Sequence, residues 1–423
     1  MKRLTDLKYI AALLFALSML LMLSGCDFGG TGDEKGINAT LHGVGVANSP
    51  EENTRALQAL VDSLAADGGG TVYIPSGVYR FAAGGSQTIG QHAIKLRSGV
   101  SFVGDGESTV LMPVGESYYG LDMFYFNDLL DVGEPIYLEG CSFEGFVIDG
   151  AETSSEVYTS AGKGFMINLF SDCHLKDVTI KNTDATGFGI DCPINSSIRG
   201  CTAIACGKAA TEDQPGASGF GIGYGYSPDE SLTISDCSAY DSRRFGFFFE
   251  HQGRFNSSLY SALPGQGAFT VTSSSSSGDL YGFGGIAAAS VSYIGCNSIA
   301  ARRSGFYFED SVGCSVSSSA TSGAGQCGLS ILATGREAYL GEPSLSVVGL
   351  DIKASPTAVS ILSEGEARLA SISLSSVDVN GATVGVFSRA SICRLVIDPT
   401  LYTSQKNDID TSRIGELTTD QAA

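Results

Sequence analysis

The chain has 423 residues, 45 Asp and Glu against 25 Lys and Arg, and a formal net charge of -20; it carries 55 glycines and no tryptophan. So acidic a balance excludes nucleic acid as a partner, because phosphate binding needs clustered Lys and Arg that this chain lacks. Frequent Gly, Ser, Thr and Val suit strands and tight turns better than helices.

The chain opens with Lys2, Arg3 and Lys8 ahead of an apolar run from Tyr9 to Leu23, which reads as an export signal. The run is shorter than the roughly 20 residues a membrane span needs. Leu23-Ser24-Gly25-Cys26 follows it and resembles a bacterial lipobox. The resemblance implies that residues 1–25 are a lipoprotein signal peptide and that Cys26 becomes the acylated first residue, held to a membrane by its lipid alone. The protein is then expected in the cell envelope, facing outward from the cytoplasmic membrane or into a periplasm. Residues 1–25 carry three basic residues and Asp6, a net +2, so the mature charge is -20 minus 2, or -22. Residues 26–40 are expected to be the lipidated Cys and a polar tether. Ten cysteines remain after Cys26; they form no Cys-x-x-Cys pair and follow the repeat described below, which points to buried packing and away from zinc.

One helix is expected next. Ser49 serves as N-cap, Pro50 takes the first helical position, Glu52 completes a capping box, and Leu57, Leu60, Val61 and Leu64 make an apolar stripe that Gly68 to Gly70 end. Strands follow, as Gly68-Gly-Gly-Thr-Val-Tyr-Ile-Pro-Ser-Gly-Val-Tyr-Arg80 and Leu96-Arg-Ser-Gly-Val-Ser-Phe-Val-Gly-Asp-Gly106. Helix, glycine cluster, Tyr-Ile-Pro strand and Ser-Gly-Val rung in this order resemble the N-terminal cap of the pectate-lyase-like superfamily. The resemblance is specific over residues 41–113 and rests on period alone to residue 393. It implies an all-β fold, a right-handed parallel β-helix with an N-terminal capping α-helix, spanning residues 41–393 as one domain. Many members of that superfamily act on polysaccharides and others only bind or build. Residues 394–423 are expected to be a polar C-terminal tail.

The tetrad Gly-Phe-any-(Ile/Phe) recurs at Gly164, Gly187, Gly219, Gly246 and Gly305, with steps of 23 residues from Gly164 to Gly187, Gly282 to Gly305 and Gly305 to Gly328. A fixed period in this range indicates stacked supersecondary units. Residues 207–218 and 251–268 interrupt the period as inserted loops, and loops on one face of a rigid stack border a working surface. Alternation along each strand predicts inward columns, Phe165, Phe188, Phe220, Phe247, Phe283 and Phe306, then Ile167, Ile190, Ile222, Phe249 and Phe308. The positions between them are expected to face solvent as two rows: Met166, Gly189, Gly221, Phe248, Gly284, Tyr307, and Asn168, Asp191, Gly223, Glu250, Ile286, Glu309.

The second row carries the candidate chemistry. Residues two rungs apart lie roughly 9 to 10 Å apart at the backbone. Asp191 and Glu250 stand so across Gly223, and Glu250 and Glu309 across Ile286. Carboxylates about 6.5 to 9.5 Å apart serve as general acid and base in inverting glycoside hydrolysis. His251, at the mouth of the second loop, is a further proton-transfer candidate. Phe248 and Tyr307 offer rings to sugars, Asn168 a polar contact. The near-duplicates Arg243-Arg-Phe-Gly-Phe-Phe-Phe-Glu250 and Arg302-Arg-Ser-Gly-Phe-Tyr-Phe-Glu309 place Arg244 and Arg303 before acidic strand ends. Those arginines either neutralise the carboxylates or bind uronate groups of a glycan. No cofactor is expected; calcium enters as a counter-ion for an acidic glycan or as the metal of a calcium-dependent lyase, toward which no compact Asp cluster points.

Gly187-Phe-Gly-Ile-Asp-Cys-Pro193 is similar to the Tyr-Gly-(Ile/Phe)-Asp-Pro-His signature of mannuronan C5-epimerases, with Asp191 at its aspartate; the signature histidine is absent around Cys192-Pro193-Ile194. Asn182-Thr183-Asp184 resembles the opening motif of polygalacturonases, whose remaining elements are missing. Two functions are therefore expected as alternatives: a membrane-anchored enzyme acting on polysaccharide as lyase, hydrolase or epimerase, or a non-catalytic glycan-binding, adhesin or structural module.

Overall fold

The computed structural model describes residues 35–128, 135–212, 214, 216–265 and 267–419. The signal and lipobox expected at residues 1–26 lie outside them. The chain folds as a right-handed parallel β-helix whose strands stack rung on rung, and the tetrad strands form one sheet of 14 among the described residues. The register is continuous where the sequence repeats: Phe165 pairs with Phe188, Phe188 with Phe220, Phe220 with Phe247, Phe247 with Phe283 and Phe283 with Phe306. All six phenylalanines are fully buried. Phe188, Phe220 and Phe247 stack almost parallel, with ring centroids 4.6 Å apart at each step.

Turn chemistry keeps the rungs aligned. One corner stacks Gly145, Asp177, Gly200, Asp236, Ser273, Gly295 and Ser318, each at positive φ between 47° and 67°. Only glycine and short polar residues enter that left-handed region cheaply, which explains why the corner is written in Gly, Asp and Ser. At neighbouring corners the sulfur and hydroxyl groups of one rung accept an amide from another: Cys141 N–H donates to Cys173 Sγ, and Cys173 N–H to Ser196 Oγ. The ten cysteines of the described residues are free thiols, and nine of them are buried. Their packing role follows from that burial.

The expected helix forms as Pro50–Ala66 with the full capping box, and Leu57, Leu60, Val61 and Leu64 are buried. It closes the N-terminal end by hydrogen bonding as well as by apolar contact. Gln58 donates to the Lys95 carbonyl and accepts from the Lys95 amide, satisfying an edge strand that would otherwise invite another chain. No helix of the described residues is long and apolar enough to cross a membrane.

Two boundaries differ from expectation. The body starts at Ile37–Asn38, which pairs with the strand Gly70–Tyr73, inside the stretch expected as tether. Residues expected as a polar tail add a further rung: Ile414–Thr418 pairs with Ser391–Ile397, and a helix at Pro399–Ser404 buries Leu401. A terminal rung has a core on one side only, so few apolar residues suffice and its sequence looks like a tail.

Candidate functional site

The outward rows are in register as the alternation predicts. Asn168 pairs with Asp191, Asp191 with Gly223, Gly223 with Glu250, Glu250 with Ile286 and Ile286 with Glu309. Their exposure differs from prediction, because Phe248, Glu250 and Ile286 are only 3%, 6% and 3% exposed. Phe248 and Ile286 are covered by Phe245, Leu280 and Tyr281, and Glu250 pairs with Arg254 of the second inserted loop. Beside them lies a cavity of about 220 Å³ whose lining includes Lys163, Asp191, Gly223, Phe248, Glu250 and Gln252, with Ser160, Gly216 and Phe255 from three loops.

Gly223 leaves room for two neighbouring side chains: a Cβ built there would collide with Asp191 Oδ1 and Gln252 Nε2, so the Asp191 carboxylate and the Gln252 amide occupy the place that a side chain on this rung would take. One rung earlier, the Lys163 side chain lies across Gly189, where an added Cβ would come within 2.6 Å of Lys163 Cδ and 3.1 Å of Nζ. Replacing Gly223 by Ala is expected to displace Asp191 and fill the cavity. The thermal midpoint of that variant is expected to move by only a few degrees, as calorimetry will show.

Burial sets the electrostatics. Burial raises the Asp191 carboxyl above the usual carboxylate range, opposed by the Lys163 charge and the Gly223 amide. Glu250 is pushed up to about 7 by burial; its ion pair with Arg254 opposes this without overcoming it, and Arg254 also lies 3.5 Å from Glu337. Glu250 therefore exchanges its proton near neutral pH, as a general acid or base must.

Burial pushes Glu230 and Asp279 up to about 7 as well. Each of these three groups binds its proton more tightly in the folded chain than in the unfolded one. Their stabilising contribution is complete below the ordinary carboxylate range and is lost as pH rises through about 7. The thermal midpoint is accordingly expected to fall between pH 5 and pH 8, and calorimetry should find a smaller fall in Glu250→Gln.

The other candidates divide. Asn168 sits one rung from Asp191, with its Oδ1 buried and unpartnered. His251 is placed away from the cavity: it is fully buried, its Nδ1 accepts from the Gly253 amide and its Nε2 lies 2.9 Å from the Ala262 carbonyl. Burial also lowers its pKa, so it acts as a loop anchor held neutral. Glu309 accepts a 2.7 Å hydrogen bond from Tyr307 and is parted from Glu250 by Ile286, which packs with Phe245, Phe248, Leu280 and Tyr281. Arg303 lies 3.8 Å from Glu212 and donates to the Tyr281 hydroxyl, and Arg302 also pairs with Glu212. The arginine partner is thus a loop carboxylate and not the strand-end Glu309. Arg244 lies over the rings of Phe245 and Phe248, 5.6 and 5.9 Å from their centroids.

Of the residues singled out in the sequence, Asp191, Glu250 and Phe248 share the lining of this cavity, together with Lys163, Gln252 and Phe255, which the sequence reading did not name as site residues. Lys163, just before the Gly164 tetrad, had a usable signal; the loop residues had none. Among the described residues no three His, Cys, Asp or Glu side chains gather as a metal site.

No family model matches the chain. A stretch of 70 residues is 36% identical to the mannuronan C5-epimerase AlgE3 of Azotobacter vinelandii, covering 16% of this chain and 4% of that protein. Among solved structures, the A-module of the Azotobacter vinelandii mannuronan C-5 epimerase AlgE4 superposes with a TM-score of 0.60 at 16% identity, over 85% of this chain and 99% of that one. The catalytic domain of a GH87 alpha-1,3-glucanase in complex with tetrasaccharides gives 0.57 at 10% identity, over 93% and 69%. The tailspike of the Escherichia coli bacteriophage HK620 in complex with a hexasaccharide gives 0.50 at 14% identity, over 93% and 76%. At these identities the likeness concerns the fold alone, the right-handed parallel β-helix.

Proposed function

We propose that this chain is an extracytoplasmic enzyme that cleaves a polysaccharide by acid–base hydrolysis, anchored to a membrane through Cys26. The observation that carries the reading is the pair Asp191 and Glu250, two rungs apart on one cavity wall, with glycine between them and burial acting on both. In this reading Glu250, protonated near neutrality, donates its proton to the leaving glycosidic oxygen. Asp191, whose ionised form Lys163 and the Gly223 amide favour against burial, takes a proton from the attacking water. The new bond joins water oxygen to the anomeric carbon as the carbon–leaving-oxygen bond breaks on the opposite side, which inverts the configuration. Phe248 supplies an apolar wall, and Arg244 stands beside it as a cation over the ring face. The tetrasaccharides and the hexasaccharide held by the glucanase and tailspike structures support a carbohydrate ligand for this chain, and the fold itself decides no chemistry.

A second reading has its own support in the match to a mannuronan C5-epimerase and in Lys163 and Arg244, which suit a uronate. It requires a proton to leave and return at one carbon. Phe188, at the signature's tyrosine position, is buried in the core, and no histidine follows Asp191 in its strand.

Incubating the full chain with neutral and uronic-acid polysaccharides separates the readings. Reducing ends indicate hydrolysis, ultraviolet-absorbing unsaturated ends elimination, and solvent deuterium in an intact polymer epimerisation. Binding with none of these leaves the non-catalytic module.

A further inference from the structure

A second cavity of about 260 Å³ lies on the same face toward the N-terminal cap, and no sequence signal marks it. Its lining includes Gln87, Thr88, Asp122, Tyr125, Thr159 and Met166. Ser160 borders both this cavity and the one that holds Asp191 and Glu250. The floor is continuous as well: Tyr125 is in register with Met166, Met166 with Gly189, Gly189 with Gly221 and Gly221 with Phe248. Four steps at roughly 4.8 Å make a track of about 19 Å, and each step is about the length of one pyranose unit. The glycines sit mid-track and an aromatic ring stands at each end, Tyr125 being fixed by stacking on His92 at 4.6 Å.

The chemistry of the two cavities differs. The central one holds Lys163 beside its carboxylates, whereas the lining of the second contains one carboxylate, Asp122, and no Lys or Arg. Asp122 is fully buried; its Oδ1 accepts from the Gly162 and Lys163 amides, and its Oδ2 from Gln87 Nε2 at 2.5 Å. That third bond orients the Gln87 amide and leaves Gln87 Oε1 buried without a partner. An unpaired buried acceptor seeks a hydroxyl donor, since leaving it unmade costs about 1–3 kcal/mol. Lys163, whose charge reaches Asp122, stands outside this lining, so a sugar carboxylate here would meet Asp122 and the Gln87 acceptor directly.

We propose that the second cavity is a binding subsite for an uncharged, hydroxyl-rich sugar unit, two to three rungs toward the N-terminal cap from the unit that reacts between Asp191 and Glu250. This rests on the polysaccharide reading above and narrows it. The glycan must be long enough to span both cavities, and a chain made wholly of uronates does not fit.

The test is an array of neutral, uronic and mixed oligosaccharides of two to six units, probed with the full chain and with two variants. Ile89→Trp adds bulk at a lining residue that is 49% exposed, where folding tolerates it. Thr88→Arg places a cation in the lining. Wild-type affinity is expected to rise at least tenfold once ligands span both cavities. Ile89→Trp should abolish that rise without changing disaccharide binding, and Thr88→Arg should shift preference toward mixed or uronic ligands. If wholly uronic ligands bind the wild type best, or if Ile89→Trp leaves long ligands unaffected while the chain still binds and cleaves glycan, the subsite is overturned and the hydrolase reading stands. Absence of glycan binding at every length overturns both.

Discussion

Replacing Glu250 by Gln is expected to lower turnover of the reactive glycan by about 10²- to 10⁴-fold, the span that a positioned general acid contributes. The substitution keeps the shape of the side chain and removes its proton. Two readouts distinguish a chemical role from a structural one. Wild-type kcat/KM should fall as pH rises through about 7, because burial pushes the Glu250 carboxyl to that value and its deprotonation removes the acid. In the Gln variant this alkaline limb should disappear from whatever rate remains, while substrate affinity changes little. A variant that loses activity but keeps the limb would assign the proton to another group.

The second large effect concerns the stack itself. Phe220 is fully buried between Phe188 and Phe247, with both ring pairs 4.6 Å apart and parallel within 1°. Phe220→Ala should cost about 3–5 kcal/mol, since a phenylalanine-sized void opens in a column that neighbouring rungs cannot collapse into. In a solenoid each rung contacts only its neighbours, so the damage should also weaken coupling between the two halves of the stack. A urea melt followed by tyrosine fluorescence is expected to show a lower midpoint and a broader transition. Phe220→Leu, which fills most of the void, should recover more than half of the loss. A cost below about 1 kcal/mol would mean that the column carries little of the fold.

The repeat made much of this architecture legible. Once Gly164, Gly187 and Gly219 were aligned, alternation assigned the tetrad phenylalanines to the core, and the pairing of Asp191, Gly223 and Glu250 followed from counting. Periodicity describes the stack and is silent about what folds onto it. Phe248 and Glu250 were expected in solvent, yet Phe248 packs against Phe245 and Tyr281 and Glu250 pairs with Arg254 of the second loop, and such contacts are encoded by no repeat. Burial is also what raises the Glu250 carboxyl, so the feature that makes it a proton donor was the one the sequence withheld. Arg302 shows the same limit: its neighbour in sequence suggested a strand-end carboxylate, and its partner is Glu212 from the first inserted loop. The second cavity was missed because Gln87, Thr88 and Thr159 come from connections outside the tetrads. The C-terminal rung was missed because Ile414 and Leu417, its partly buried apolar residues, stand among polar ones.

The most direct test of the central claim, that Asp191 and Glu250 work together on a bound glycan, is anomeric proton NMR of a fresh digest by the full chain and by Asp191→Asn and Glu250→Gln. The wild type is expected to release reducing ends that first appear in the configuration opposite to the cleaved bond and then mutarotate, while neither variant releases them at a measurable rate. Ends that first appear with retained configuration, or undiminished release by both variants, would contradict it.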